Sequence, residues 1–223
     1  MNDMPRAETE AARMSGARRV WIGLAAVFAL IEAALAGADA GLWGSPLWRP
    51  LAYQYGGFWA GLLHGWQPNY AGQPLAMFAT YPFLHAGWQH LAGNLLAFGW
   101  LSEQIGRSFG AARLAALLAI SALGGGLGFG LLTASPRPMV GASGALMGLI
   151  AAWIAAEAHQ MSRQGLPRAR ILRMAGERGA AVLALNVLAT WVEAGGLAWE
   201  THLGGFVAAA LALALIPAIR PLP

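Results

Sequence analysis

The strongest constraint in this sequence is a series of apolar stretches, each near the length that crosses a bilayer, with arginines between them. A spanning helix takes about 20 mostly apolar residues. Six segments approach that: 20–37, 88–106, 111–133, 140–158, 179–195 and 201–218. Hydrophobic residues make up 57% of the chain and charged residues 11%, too few to clothe a water-facing surface of this size. Lipid as the main solvent resolves the imbalance. The 30 glycines suit membrane helices, where small residues let backbones approach. The expected fold class is all-α, a polytopic membrane protein with a bundle of six transmembrane helices.

The 14 basic residues are all arginine. They flank apolar segments and do not form one basic face, so a nucleic-acid partner is not expected and the positive-inside rule explains them. With the N-terminus in the cytoplasm, the outside segments hold only Arg49 and Arg137, and every other arginine is inside. The predicted orientation is therefore N-in and C-in, in a plasma membrane of the bacterial inner-membrane kind. The run from Val20 to Gly37 follows Arg18 and Arg19, as a signal peptide would. Further spans follow it, however, and Glu32-Ala33-Ala34 is a poor cleavage site, so it is expected to remain as the first transmembrane helix. Residues 1–19 form a cytoplasmic tail, with 1–17 expected to be disordered, and residues 20–219 form the membrane domain. Its first loop, 38–75, carries Trp43, Trp48, Tyr53, Tyr55, Phe58, Trp59, Trp66 and Tyr70 and is expected to lie partly in the outer headgroup region.

Polar side chains within such segments are costly and mark function. Three sets share one predicted depth, toward the outer leaflet: His85, His90 and Asn94 around the second segment, Ser143 at the start of the fourth, and His202 at the start of the sixth. A serine in a membrane helix ordinarily bonds back to its own backbone. Ser143 instead sits between glycines, in Gly141-Ala142-Ser143-Gly144, at a predicted helix start whose unpaired N–H groups can hold an oxyanion. A hydroxyl nucleophile needs a base, and His202 can take and return its proton. Gly144 with Gly148, and Gly205 with Ala209, let those two helices come close. His90 and Asn94, at i and i+4, share a helix face and can both donate to a reacting carbonyl oxygen. The absence of cysteine excludes thiolate chemistry, the absence of lysine excludes a Ser–Lys dyad, and no His-Glu-x-x-His helix is present. The only aspartates are Asp3 and Asp39, so paired membrane aspartates are excluded as well. No cofactor and no metal are expected.

Together these residues resemble the rhomboid family of intramembrane serine proteases. The run Phe83-Leu84-His85-Ala86-Gly87-Trp88-Gln89-His90-Leu91-Ala92-Gly93-Asn94 resembles the family's second-helix motif. Val140-Gly141-Ala142-Ser143-Gly144-Ala145 resembles its nucleophile motif, His202-Leu203-Gly204-Gly205-Phe206 its base motif, and Glu103 with Gly106 its Glu-x-x-Gly element. Order and spacing agree over residues 75–215. The resemblance implies a rhomboid-like six-helix bundle around a water-filled cavity open to the exterior, with Ser143 and His202 as a catalytic dyad lacking a third acidic member. It implies an oxyanion hole made by His90, Asn94 and the Ser143 N–H, with His85, Gly141, Gly144, Met147 and Gly205 in support. The fifth helix and the loop after it would be gate and cap. The implied partners are transmembrane protein substrates within the lipid bilayer. Many members carry Trp-Arg where this chain has Ala76 and Met77, which leaves the first loop without its usual arginine. Met147 stands where an aromatic commonly packs on the base histidine, and Gly205-x-x-x-Ala209 replaces Gly-x-x-x-Gly. A catalytically silent member that captures membrane clients is the alternative. A small transporter would need Asn186, Glu157 and the histidines to line one path, and Glu157 falls at the cytoplasmic end.

Overall fold

A computed structural model describes residues 4–192 and 198–221. Among them the regular structure is helical apart from one isolated bridge between Phe58 and Met139. The helices are α1 (Met4–Asp39), α2 (Trp48–Gly56), α3 (Gln73–Thr80), α4 (Trp88–Leu132), α5 (Ser143–Arg163), α6 (Arg168–Val192) and α7 (Trp199–Leu215).

The second and third apolar segments run together as α4, but the chain reverses inside it at Gly110, whose φ of 66° a side chain would strain. The first limb runs antiparallel to α1. Phe28 packs with Leu91 at one end, and Arg13 donates to the Arg107 carbonyl, at 3.4 Å, at the other. The second limb follows α7: Arg113 Nε donates to the Ala218 carbonyl at 2.8 Å, and Gly128 lies against Glu200 and Gly204 at the far end. Arg13, Arg107 and Arg113 thus gather at one end of the bundle. Ala17, Phe98, Ile105, Leu117, Leu149 and Ala209 belong to one core drawn from α1, α4, α5 and α7. Helix α6 joins through Arg178, which pairs with Glu157 and lies 4.0 Å over the Trp153 ring.

The outer faces reverse the usual polarity. Leu30, Leu96, Leu131, Leu183, Val187, Leu211 and Leu215 are all exposed. Such surface costs about 25 cal/mol per Å² in water and nothing comparable in lipid. Among the described residues, two helices, Ala11–Asp39 and Trp88–Leu132, are long and apolar enough to cross a membrane, and Trp199–Leu215 is apolar but shorter.

One expectation needs correction. Residues 1–17 were expected to be disordered, yet α1 is already helical at Met4 and continuous to Asp39. Extending an existing helix is cheap, and the face carrying Arg13, Gly16 and Ala17 packs on α4 beside Gly106 and Ala111. The 38–75 loop is folded, with short helices at both ends. Trp43, Trp48, Trp66 and Tyr70 are exposed, but Phe58 is fully buried, with ring centroids 4.8 Å from Phe78, 5.7 Å from Tyr81 and 6.0 Å from Phe129.

Arg49, at the start of α2, ties this loop to α1 and to the segment before α4. Its guanidinium grips the buried Glu32 of α1 with both ends of the fork, at 2.8 and 3.1 Å, reaches Asp39 at 2.6 Å, and donates to the His85 carbonyl at 3.0 Å. The loop after the fifth apolar segment, expected to be the cap and holding Glu193, Gly195 and Gly196, lies outside the described residues.

Candidate active site

The turn before Ser143 is held by backbone bonds to two distant segments. Phe58 and Met139 exchange N–H···O bonds of 2.9 Å in both directions, and the Gly141 N–H donates to the Tyr81 carbonyl at 3.0 Å. The Tyr81 hydroxyl in turn donates to the Ala122 carbonyl at 2.7 Å. Gly141 has φ 117°, and a Cβ there would lie 2.6 Å from His90 Cε1 and 2.8 Å from His90 Nε2. Only glycine fits both the conformation and the space. The His90 imidazole therefore rests against the backbone two residues before Ser143.

His90 Nδ1 accepts from the Ala86 N–H at 3.3 Å. In the neutral ring this puts the proton on Nε2, the nitrogen that faces Gly141. Asn94, one turn further along α4, is 7% exposed, and its buried Nδ2 has no partner among the described residues. That nitrogen lies 3.7 Å from the position of a Gly141 Cβ. A buried donor without an acceptor is expensive and calls for a ligand or water to satisfy it. Two donors thus converge on the turn that leads into Ser143.

Ser143 is the first residue of α5 and is half-buried, and the preceding Ala142 supplies no side-chain cap. The first-turn N–H groups of α5 are left without side-chain acceptors. His202 lies in the first turn of α7 and is buried. Its Nδ1 is hydrogen-bonded to Asn186 Oδ1, and its buried Nε2 has no partner among the described residues. Small residues bring the two helices into backbone contact. A Cβ on Gly144 would come within 2.5 Å of Thr201 Oγ1, and one on Gly205 would run into the Gly144 carbonyl oxygen. Ser143 and His202 are each adjacent to this contact, and they form no hydrogen bond with each other.

The remaining residues take supporting places. His85 is 1% exposed, with its ring 5.2 Å from Phe28 and 5.3 Å from His90, so it packs between them. Its carbonyl is held by Arg49 and, at 2.7 Å, by the Tyr53 hydroxyl. Hydrogen bonding to Glu32 raises the Arg49 pKa above its already high ordinary value, so the guanidinium is charged at any working pH. The Met147 sulfur lies 3.9 Å from Asn186 Nδ2, beside the residue that holds His202. Among the described residues, no group of three or more His, Asp or Glu side chains comes together as a metal site.

Sequence reasoning missed the role of Glu32 and gave Asn186 a place only in a transporter path. Glu32, a carboxylate inside an apolar run, should have signalled a partner such as Arg49. Asn186, a strong hydrogen-bonding group in the fifth apolar segment, should have signalled a polar contact.

The rhomboid domain family model matches residues 72–218. A stretch of 74 residues, 32% of this chain, is 42% identical to RHOMBOID-like protein 5 of Arabidopsis thaliana and covers 24% of that relative. The chain thus spans about a quarter of the length of the curated relative it matches. The family match begins just before α3, ends just after α7, and contains His90, Asn94, Ser143 and His202. Because the match covers more than half of the sequence, the chain belongs to the rhomboid family.

Proposed function

We propose that this protein is an intramembrane serine endopeptidase with six transmembrane helices, α4 supplying two of them. The arginine-rich end faces the cytoplasm and the Ser143 end faces outward. Its substrates are transmembrane proteins, cut in or near a membrane helix. The observation that carries the reading is the buried Nε2 of His202, without a partner among the described residues, in a turn packed against the start of the helix that Ser143 opens.

In the proposed reaction Ser143 Oγ attacks the scissile carbonyl while His202 Nε2 accepts its proton. The tetrahedral oxyanion takes hydrogen bonds from His90 Nε2–H, Asn94 Nδ2 and the Ser143 N–H. His202 then returns the proton to the leaving amine, and water from the outward-facing cavity hydrolyses the acyl-serine by the same route in reverse.

The test is cleavage of a model transmembrane substrate by the purified, detergent-solubilised protein. Ser143→Ala and His202→Ala should each abolish cleavage while leaving a folded protein, with the double variant no worse than either single. Cleavage that survives Ser143→Ala, at a cut site mapped by mass spectrometry, sinks the proposal. A second reading, a client-binding protein without chemistry, draws on the lack of a Ser143–His202 hydrogen bond. Labelling of Ser143 by a fluorophosphonate excludes it, since only an activated serine reacts.

A further inference from the structure

We infer that Asn186, on α6, is a positioning residue that fixes the tautomer and plane of His202, so that the lone pair sits on Nε2. The inference rests on the Ser143–His202 reading and assigns that pair a third member on a helix carrying neither reacting group.

An amide side chain has a donor end and an acceptor end, and its neighbours decide which is which. Asn186 Nδ2 lies 2.9 Å from the Val182 carbonyl, which can only accept, and 3.9 Å from the Met147 sulfur, a weak acceptor. The other end is therefore oxygen, and this oxygen meets His202 Nδ1. Oxygen of an amide cannot donate, so Nδ1 carries the proton. Neutral imidazole has a single N–H, which leaves Nε2 bare. Nε2 is also the nitrogen that is buried without a partner. A bare acceptor is what the Ser143 hydroxyl proton requires.

Removing the acceptor would let both tautomers compete and free the ring to rotate. Part of the population would then present an N–H to Ser143 and could not act as base. Met147 lies one turn after Ser143 on α5 and meets the same amide, so the Asn186 side chain is placed from α5 and α7 together.

The experiment uses full-length protein in detergent with ¹⁵N-labelled histidine, and assigns the His202 signals by their loss in His202→Gln. Wild-type His202 should show a protonated Nδ1 and a bare Nε2. In Asn186→Leu the two shifts should converge as tautomers exchange. In the cleavage assay Asn186→Leu should lower kcat roughly tenfold, the weight of one neutral hydrogen bond, with KM unchanged. Asn186→Asp keeps an acceptor at the same reach and should restore most of kcat in mildly alkaline buffer. A wild-type ring protonated on Nε2 overturns the inference, and this measurement needs no variant to fold. So does an Asn186→Leu protein that melts earlier but keeps its ¹⁵N shifts and kcat. If wild-type protein neither cleaves substrate nor labels with fluorophosphonate, the protease reading fails, while the ¹⁵N shifts still decide the hydrogen bond.

Discussion

Replacing Arg49 by leucine isolates the contribution of the clamp that docks the first loop. The substitution removes both bonds to Glu32, the 2.6 Å bond to Asp39 and one of the donors to the His85 carbonyl. Glu32 is 1% exposed and would be left charged and unpaired inside the bundle, whereas Asp39 is 39% exposed and would be met by solvent. Stranding one partner of a buried ion pair costs about 3–5 kcal/mol. Arg49 is itself 17% exposed, so water shares its charge and the low end, about 3 kcal/mol, is the expected loss. Glu32→Leu should cost less, about 1 kcal/mol, because Arg49 keeps Asp39 and solvent. The double variant Glu32→Leu/Arg49→Leu should be more stable than Arg49→Leu alone, since no buried carboxylate is left behind. Equilibrium unfolding in mixed micelles with increasing SDS, followed by fluorescence of the 10 tryptophans, measures all three. An Arg49→Leu loss below about 1 kcal/mol, or a double variant no better than that single, would refute the argument. Alkali should not mimic the substitution. A group whose pKa is raised on folding loses its contribution only as pH climbs through that raised value, which for Arg49 lies beyond any working buffer.

Other consequences are as direct. Asn94→Ala should reduce kcat by about 10²–10³ with little change in KM, because in the proposed reaction the donor acts on the oxyanion; an unchanged kcat removes Asn94 from the site. Gly141→Ala should displace His90, since its Cβ would arrive 2.6–2.8 Å from the ring at φ 117°, and cleavage should fall with it; wild-type turnover would show that the ring moves aside freely. Gly205→Leu should push α7 off α5 at the Gly144 carbonyl and abolish fluorophosphonate labelling even in the fraction that inserts; normal labelling would mean that this contact does not set the Ser143–His202 distance. Reporters fused after Arg19, Arg170 and Arg220 should read cytoplasmic and those near Trp59 and Arg137 external, and a cytoplasmic loop at 38–75 would invert the proposed topology.

Much of the site was legible because lipid makes polar residues conspicuous. His90, Asn94, Ser143 and His202 stood out against apolar surroundings, and the structure brings His90 and Asn94 to the turn before Ser143 and His202 to the helix start beside it. Glycine at 144 and 205 announced a close helix contact, which the backbones make. The same rule, applied evenly, would have marked Glu32 and Asn186 too. Glu32 was passed over because no motif contained it, and Asn186 was weighed only as part of a transporter path.

Composition and order along the chain were enough for the helical class, the apolar lengths, the arginine asymmetry and the kinds of chemistry left available. These follow from solvent and backbone hydrogen bonding, which each segment satisfies within itself. Which polar groups meet was decided only in three dimensions. The reversal at Gly110, the grip of Arg49 on Glu32 and the bond from His202 to Asn186 depend on how each helix is rotated and tilted against its neighbours. A rotation of one residue turns a side chain by about 100° around its helix and would part any of these pairs without changing a single span.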